Sequence, residues 1–423
     1  MRHKFRLPNT DVENLKSRIT QWCASVSYAS FLDSHHHQDK YSRYNWIAAV
    51  GAHNIVQPTH DHFSTLLSDH HKNADWLFGH LSYDLKNNLE NLSTSHLDSI
   101  GFAAMLFFIP QTVVYSINNE LWVESLVFKS PKEFEASLPL LEIIPKNASL
   151  KLEPKTKEPE YLKKVASLKK ELQYGNIYEV NYCIEFSRFV NKFNPLRAFS
   201  DLNHSASAPF SAFYKNKELH LLCASPERYI QKVGDTIISQ PIKGTARRAD
   251  NVLDDETLKI ELYHNEKERS ENVMITDLVR NDLSKTALRG SVSVDELFGI
   301  YTFNTVHQMI STVSSTLDPQ HPFTDVLETT FPMGSMTGAP KVKAMKLIDE
   351  HENFARNLYA GTVGYIDPSG NFDFNVVIRS LFHNAKTNYL AARVGSAITI
   401  HCDAKQEYEE CLLKAENLFA ALS

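Results

Sequence analysis

Candidate strands and helices follow one another along this chain without the regular rhythm of a parallel α/β sheet, and this irregularity is the strongest constraint on its fold. Runs of β-branched and aromatic residues predict strands, and apolar residues at three- and four-residue spacing predict helices. The strand candidates are 176–182, 219–223, 236–242 and 390–400, and the helix candidates are 160–173, 258–282, 341–351 and 405–421. Because no strand–helix–strand unit repeats, the pattern favours an α+β fold over a doubly wound sheet.

The chain divides into two regions that differ in recognisable chemistry. Residues 1–150 contain few motifs, whereas residues 155–423 contain nearly all of those discussed below. The segment from Pro145 to Pro159 lies between them and is charged and rich in proline, which is typical of a connection. We therefore expect an N-terminal subdomain over 1–150 and a catalytic region over 155–423.

Composition places the chain among ordinary globular proteins. Hydrophobic residues make up 43% of its 423 residues, and the net charge of −6 gives no reason to expect a nucleic acid or an anionic membrane as partner. The five cysteines never form a CxxC pair, so neither a disulfide framework nor a zinc site is indicated. No signal peptide and no membrane-spanning apolar run is recognisable, so a cytoplasmic enzyme is expected.

Two predicted helices each carry a Glu-x-x-Glu pair, Glu268 with Glu271 and Glu407 with Glu410. A spacing of three places both carboxylates of a pair on one helical face. If the two faces met, four negative charges would require a hard cation, and carboxylate oxygens suit Mg²⁺. For either pair alone, a solvated helix surface is the alternative.

Three further features could contact an anionic ligand. Lys243 precedes a glycine at the end of a predicted strand, where a surface lysine is the simpler interpretation. The small residues of 334–341 lead into a helix whose free N–H groups could hold a carboxylate, although tight packing would explain them equally. Arg379 lies in an apolar run and needs an anionic partner, either a protein carboxylate or a ligand.

In their order along the chain, these motifs resemble those of the chorismate-utilising enzymes. They are SPER (225–228), PIKGT (241–245), SENVMITDLVRNDL (270–283), FPMGSMTGAPK (331–341), LYAGTVGY (358–365), VVIRS (376–380) and EYEECLLKA (407–415). The resemblance covers about residues 160–420, and FLDS, YSRYNW and GHLSYDL resemble the family's N-terminal part. It implies a large α+β sandwich of two antiparallel β-sheets flanked by helices. Residues 1–150 would contribute to that sandwich, and 155–423 would bind chorismate.

The resemblance is closest to the aminodeoxychorismate synthase branch of the family. Lysine between PI and GT distinguishes that branch, whereas the anthranilate, isochorismate and salicylate synthases carry alanine there. The resemblance implies that Lys243 is a nucleophile and Glu227 a general acid. We therefore expect desolvation to lower the pKa of Lys243 and to raise that of Glu227.

The activity that the resemblance implies converts chorismate and ammonia to 4-amino-4-deoxychorismate through a covalent lysine adduct, for p-aminobenzoate and folate synthesis. A separate glutamine amidotransferase subunit would supply the ammonia. Mg²⁺ would be held by Glu271 and Glu410, with Glu268 and Glu407 close by. The residues that the resemblance implies for substrate binding are Thr245, Thr337, Gly338, Tyr359, Gly361, Arg379, Gly395 and Lys414.

Several residues depart from the family pattern. Glu179 stands where glutamine or lysine is typical, Gln308 stands in place of a histidine, and Ser396 and Ala397 would crowd a glycine-rich strand end. The absence of a lysine at position 179 argues against isochorismate and salicylate synthases.

The segment FLDS differs from the LLES that binds tryptophan in regulated members, which argues against feedback inhibition by tryptophan. Two alternatives remain open. One is anthranilate synthase component I, which releases pyruvate, and the other is a chorismate-binding protein without turnover.

Overall fold

The computed structural model of the protein describes residues 1–8, 11–37, 39–304 and 306–422, with the backbone alone at position 417. The strands in these ranges are β1 His3–Leu7, β2 Tyr28–Asp33, β3 Trp46–Val56, β4 Leu77–Leu81, β5 Met105–Ile117, β6 Glu120–Ser125, β7 Glu153–Pro154, β8 Glu179–Phe189, β9 Phe210–Asn216, β10 Leu219–Ser225, β11 Arg228–Val233, β12 Thr236–Ser239, β13 Ile242–Arg247, β14 Ser293–Thr302, β15 Val306–Thr316, β16 Gly338–Ala339, β17 Thr362–Ile366, β18 Phe372–Asn375, β19 Ser380–Asn384 and β20 Tyr389–Ile398. The α-helices are α1 Val12–Ser25, α2 His62–Asn73, α3 Lys86–Leu89, α4 Pro131–Ser137, α5 Glu158–Gln173, α6 Pro195–Ala206, α7 Val252–His264, α8 Glu266–Ser284, α9 Phe323–Thr330, α10 Lys341–His351 and α11 Ala404–Ala420. Within the described ranges no helix combines the length and the apolar character that crossing a bilayer requires.

All pairings between the described strands are antiparallel, and they form two sheets that share β5. One sheet runs in the order β1-β6-β5-β3-β2-β9-β10-β19-β20-β8. The other runs β5-β4-β17-β18-β11-β12-β15-β14. This arrangement confirms the α+β sandwich of antiparallel sheets.

Apolar side chains fill the space between the two sheets. Phe107 on β5, Phe374 on β18 and Phe382 on β19 are fully buried in this core. Their neighbours in the first sheet point the other way, because side chains alternate along a strand. Leu381 and Leu390 thus join a second core, beneath the helices α1, α5, α6, α10 and α11 that cover the outer face of that sheet. The first sheet is therefore buried on both faces.

Strands from the first 150 residues belong to both sheets. Strand β2 pairs with β9, and β4 pairs with β17. Residues 139–152 form neither helix nor strand, and α5 begins at Glu158, so the predicted connection lies between these parts. The division of the chain at 150–155 stays a prediction.

The prediction of one helix over 258–282 is wrong, because the structure has two helices there, α7 and α8. Asn265 adopts an extended conformation, with φ −68° and ψ 110°, and ends α7. Its side-chain oxygen accepts a hydrogen bond from the Glu268 N–H at 3.0 Å and so caps the N-terminus of α8. Apolar spacing continues across this point, which is why periodicity did not reveal the break.

Two predicted strands have different limits from those expected. The strand predicted over 236–242 ends at Ser239, and a new strand begins at Ile242. Proline at position 241 has no N–H to donate to the neighbouring strand, which favours this interruption. The strand predicted over 176–182 begins only at Glu179 and extends beyond the predicted end.

Candidate active site

Lys243 is directed into the protein by an irregularity in β13. The pairing of β13 with β15 shifts between Ile242 and Thr245, and Gly244 has φ +97°. A bulge of this kind re-aims the neighbouring side chain, and glycine adopts this φ without strain. The Asn272 side-chain amide also donates to the Lys243 carbonyl at 3.4 Å. The Lys243 side chain is only 10% exposed, so the interpretation as a surface lysine is wrong.

Carboxylates surround the Lys243 amine. Its Nζ lies 2.5 Å from Oε1 of Glu179, which is 1% exposed. Burial disfavours the charged lysine, but the charges of Glu179 and Glu271 outweigh it and raise the pKa of Lys243. The expected lowering of this pKa is therefore wrong for the chain by itself, because the neighbouring carboxylates override desolvation.

Glu227 lies beside this lysine in an environment that favours its neutral form. It is 4% exposed and accepts a hydrogen bond from the Ser335 hydroxyl at 2.6 Å. Burial raises the pKa of Glu227 to about 7, although Ser335 and Lys243 act in the opposite direction. This confirms the predicted direction. A carboxyl group with such a pKa can give or take a proton near neutral pH.

Helices α8 and α11 bring the two glutamate pairs together. The Lys267 ammonium lies 3.4 Å from Glu407 Oε1 and 3.9 Å from Glu271 Oε1. Burial and the charge of Glu410 raise the pKa of Glu407 to about 7, and burial likewise raises the pKa of Glu268. Glu271 and Glu407 are 6% and 4% exposed, so a solvated surface does not describe them.

This carboxylate cluster suits a cation that keeps part of its own water shell. In the described part of the chain, no three acidic, histidine or cysteine side chains converge as a ready-made metal cluster. However, Glu271 Oε1 is buried and forms no hydrogen bond with a described residue, and burial raises the pKa of Glu271 to about 7. Mg²⁺ commonly binds through one or two carboxylates, water and an anionic substrate, so these donors fit it.

Arg379 provides a second region of positive charge. It lies between β18 and β19 with φ 52°, a conformation that a non-glycine residue adopts at some cost. Its guanidinium forms neither an ion pair nor a hydrogen bond with any described residue, and burial lowers its pKa. The alternative of a protein salt bridge is therefore excluded within the described chain. A half-buried guanidinium without a partner is a binding group for a carboxylate. The buried phenol of Tyr359 lies close enough to interact with it electrostatically.

Gly395 and Lys414 meet near the glutamate cluster. The Lys414 amine donates to the Gly395 carbonyl at 2.8 Å and lies 2.5 Å from Glu410 Oε1. A Cβ at position 395 would lie 2.5 Å from the Cys183 sulfur, so glycine is needed for β20 to approach β8. Lys414 lies one helical turn beyond Glu410 on α11.

The other small or hydroxylated residues contribute in different ways. Gly338 has φ 141°, and a Cβ there would lie 2.2 Å from the Glu179 carbonyl, so this glycine lets β16 pair with β8 beside the site. Within the described part of the chain, the Thr337 hydroxyl bonds only to carbonyls of the preceding turn, and Gly361 lies against the backbone of β4. Thr245 is exposed, and its side chain forms no hydrogen bond with a described residue. The structure does not bring Thr337, Gly361 or Thr245 into side-chain contact with the Lys243 amine.

The structure shows where two of the departures from the family pattern lie, Ser396 and Gln308. The Ser396 hydroxyl bonds to Tyr161 on α5 at 2.8 Å, so this side chain faces the helices and does not crowd the site. His307 cannot replace the histidine missing at position 308, because its ring bonds to Asp255 at 2.9 Å, on the other face of the strand. Gln308 is buried, and its Oε1 has no hydrogen-bond partner among the described residues.

Four residues of the site were not identified as such from the sequence. They are Glu179, Lys267, Asn272 and Ser335. Asn272 and Ser335 lie within motifs already recognised, so proximity to these motifs is the only signal that could have indicated them. Glu179 was noticed as a departure, but its contact with Lys243 depends on a pairing across 64 residues.

A separate cavity of about 300 Å³ lies against the N-terminal part of the chain. Asp33 and Ser34 of FLDS line it, together with Arg228, which pairs with Asp39 and with a second aspartate on β18. Lys243 does not line this cavity. The absence of feedback inhibition by tryptophan stays a prediction.

Comparisons of sequence and of structure with known proteins all find chorismate-utilising enzymes. Residues 17–420 match the family model described as chorismate binding enzyme. Aminodeoxychorismate synthase component 1 from Bacillus subtilis is 31% identical over 384 residues, covering 86% of this chain and 81% of that protein. An anthranilate synthase component I-like protein from Synechocystis is 31% identical, covering 82% and 72%. The solved structure of the menaquinone-specific isochorismate synthase from Escherichia coli superposes with a TM-score of 0.81 at 17% identity, covering 100% and 94%, which shows a shared fold.

Proposed function

The chain belongs to the family of chorismate binding enzymes, and from that premise we propose that it is the chorismate-converting component of an aminodeoxychorismate synthase. It converts chorismate and ammonia to 4-amino-4-deoxychorismate, a step toward p-aminobenzoate and folate. The observation that carries this proposal is the buried Lys243 amine, held 2.5 Å from Glu179 and next to the protonatable Glu227. The Bacillus subtilis relative supports it by name.

Chorismate would be held at its two carboxylates. The unpaired Arg379 guanidinium, with Tyr359 and the backbone at Gly395, receives the enolpyruvyl carboxylate. The ring carboxylate lies toward Lys414 and the glutamates of α8 and α11. Anchoring at both anionic ends fixes the ring between them and lowers the entropic cost of the reaction.

The glutamates of α8 and α11 would also hold Mg²⁺, through Glu271 and Glu410 with Glu268 and Glu407 close by. When bound, the cation neutralises the glutamates and the ring carboxylate. Lys267, which already lies between Glu271 and Glu407, is then a second positive group at the same place.

Lys243 and Glu227 carry the chemistry. The Lys243 amine forms a bond to C2 of the ring while the bond from C4 to its hydroxyl breaks, and Glu227 gives its proton to that hydroxyl, which leaves as water. Ammonia then bonds to C4 while the bond from C2 to the lysine nitrogen breaks. Glu227 takes back a proton from the new amine, and the pyruvyl arm is retained.

A glutamine amidotransferase partner supplies the ammonia. The description of the Bacillus subtilis relative as component 1 is consistent with a second component. Free ammonia replaces that partner in vitro, so the chain can be assayed alone.

The test is an assay of purified protein with chorismate, Mg²⁺ and ammonium at alkaline pH, with products identified by mass and pyruvate followed separately. We expect 4-amino-4-deoxychorismate without pyruvate. Lys243→Ala should lower the rate at least about 1000-fold, because it removes the nucleophile. Lys346→Ala is the matched control, because Lys346 is an exposed lysine on α10.

Two results would contradict the proposal. Anthranilate together with pyruvate would assign the chain to the anthranilate synthases. The Synechocystis relative, described as anthranilate synthase component I-like, is the reason to test for these products. Binding of chorismate without any conversion would identify a protein that binds chorismate without turnover.

A further inference from the structure

Glu179 is fixed in direct contact with the Lys243 amine. It begins β8, where the Tyr178 N–H donates to the Ala339 carbonyl at 2.7 Å and β16 pairs along the same stretch. On its other side, β8 pairs with β20. The Glu179 backbone thus pairs with β16, and the next residue, Val180, pairs with both β16 and β20. The Glu179 side chain is 1% exposed.

The two carboxylate oxygens of Glu179 are used unequally. Oε1 accepts a hydrogen bond from Lys243 Nζ at 2.5 Å. Oε2 is buried and has no hydrogen-bond partner among the described residues. Among the described residues, the Lys243 amine is therefore the one hydrogen-bond donor to this buried carboxylate.

The other carboxylates that face Lys243 are less suited to take its proton. Glu227 is engaged by the Ser335 hydroxyl, and burial raises its pKa to about 7, so it is the group that gives a proton to the leaving hydroxyl. Glu271, Glu268 and Glu410 interact with Lys243 through their charges, with no hydrogen bond to its amine among the described residues, and all three belong to the glutamate cluster of α8 and α11. Among the described residues, Glu179 alone is hydrogen-bonded to the Lys243 amine.

Lys243 has to lose a proton before it can react. An ammonium group has no lone pair, and the carboxylates around Lys243 favour its charged form. The nucleophile is therefore stored in its unreactive state, and an acceptor within hydrogen-bond distance is required.

We propose that Glu179 is the catalytic residue that accepts the proton of Lys243 and thereby generates the nucleophilic amine. This inference rests on the proposed function. The proton moves from Nζ to the Glu179 carboxylate, leaving a neutral lysine beside a neutral carboxyl group. The amine then bonds to C2 and becomes a secondary ammonium, while the C4 hydroxyl leaves with the proton of Glu227.

The cycle closes without any further acid or base. When ammonia has bonded to C4, the bond from C2 to the lysine nitrogen breaks, and Lys243 departs as a neutral amine. Glu227 takes one proton from the new ammonium at C4, which restores its neutral form. Glu179 returns its proton to Lys243, which restores the ion pair.

The test compares the wild type with Glu179→Gln. Glutamine keeps the size and a hydrogen-bond acceptor beside Lys243, but a neutral amide cannot take its proton. The readout is covalent adduct formation, followed by acid quench and intact-protein mass after mixing with chorismate and Mg²⁺ without ammonia, between pH 6 and pH 9. Chorismate binding is measured separately by calorimetry.

We expect Glu179→Gln to bind chorismate normally and to form the adduct about 100-fold more slowly at pH 7. The ratio of the wild-type rate to the variant rate should shrink as the pH rises, because solvent then removes the lysine proton. Glu179→Asp, which keeps a carboxylate on a shorter side chain, should recover part of the rate. It also serves as the test variant if Glu179→Gln does not fold.

Asp282→Asn is the matched control for the loss of a buried ion pair. Asp282 is 5% exposed and lies 2.5 Å from the Lys341 amine, outside the Lys243 cluster. This variant should be less stable, yet its rate ratio to the wild type should not change with pH.

Three results would overturn the proposal. Equal rates for the wild type and Glu179→Gln would show that another group takes the proton. An equal loss at every pH would show that Glu179 only positions the lysine. If the wild type forms product with ammonium but never forms an adduct, the covalent lysine step is disproved. This inference and the mechanism on which it rests would then both be wrong.

Discussion

At the scale of single residues, burial and neighbouring charges act in opposite directions on the pKa values of Lys243 and Glu227. Burial favours the neutral forms of both Lys243 and Glu227, but only Glu227 follows it, and its pKa rises to about 7. Lys243 stays charged because Glu179 and Glu271 lie beside it. The pair is therefore an ammonium next to a carboxyl group that can release its proton near neutral pH.

Ser335 offers a direct test of the acid, through Ser335→Ala. Its hydroxyl donates to Glu227 Oε1 at 2.6 Å, and this hydrogen bond favours the ionised form and lowers the Glu227 pKa. Without it that pKa should rise above about 7 by about one pH unit. Glu227 would then stay protonated to higher pH, and the alkaline decline of adduct formation should move upward by the same amount.

The measurement is the rate of adduct formation between pH 6 and pH 9, by intact-protein mass. Ser291→Ala is the control, because Ser291 bonds to the Thr316 backbone away from the site. An unchanged pH profile in Ser335→Ala would show that Glu227 is not the group that protonates the leaving hydroxyl.

The sequence identified Lys243 and Glu227 through their motifs but could not give the sign of the lysine pKa shift. That sign depends on Glu179, which reaches Lys243 only because β16 and β20 hold β8 in place. Desolvation can be inferred from an apolar neighbourhood in sequence. The position of a carboxylate that lies 64 residues away along the chain cannot be inferred in this way.

At the scale of secondary-structure elements, the break between α7 and α8 positions two of the glutamates. Asn265 ends one helix and caps the next, so that α8 starts at Glu266, two residues before Glu268. The direction of α8 is thus independent of α7. The charge of Glu268 on α8 acts on Glu410 of α11, and Lys267 of α8 pairs with Glu407 of α11. A single continuous helix would not have this freedom.

Asn265→Ala should lower the free energy of unfolding by about 1 kcal/mol, because the side chain satisfies a free N–H at the start of α8. Urea denaturation followed by circular dichroism measures this change. Asn281→Ala is the matched control, since Asn281 is an exposed residue within α8 whose side chain has no capping role. It should change stability little, and an equal loss in both variants would contradict the capping role of Asn265.

Helices and their charged faces were largely predictable, because periodicity and spacing are local. The bounds of α5, α10 and α11 fall within two residues of those expected. The helix break and the bulge at Gly244 were not predictable, because each is set by one residue whose alternative conformation leaves the apolar pattern unchanged.

At the scale of the whole molecule, the site is assembled from distant parts of the chain. Lys243 comes from the second sheet, Glu179 and Gly395 from the first, and the glutamates from helices α8 and α11. The sandwich brings these parts together, and it includes strands from the first 150 residues in both sheets. The fold class could be predicted from the irregular element order and the motif resemblance, but the order of strands could not, because it depends on pairings far apart in sequence.

The central claim is that chorismate becomes covalently attached to Lys243, and intact-protein mass spectrometry tests it most directly. The protein is incubated with chorismate and Mg²⁺ without ammonia, quenched in acid, and mapped by peptide mass. We predict a gain equal to chorismate minus one water, located on the peptide that contains Lys243, and its loss when ammonium is added before the quench. Product formation with ammonium but no such gain, or attachment to a different residue, would contradict the claim.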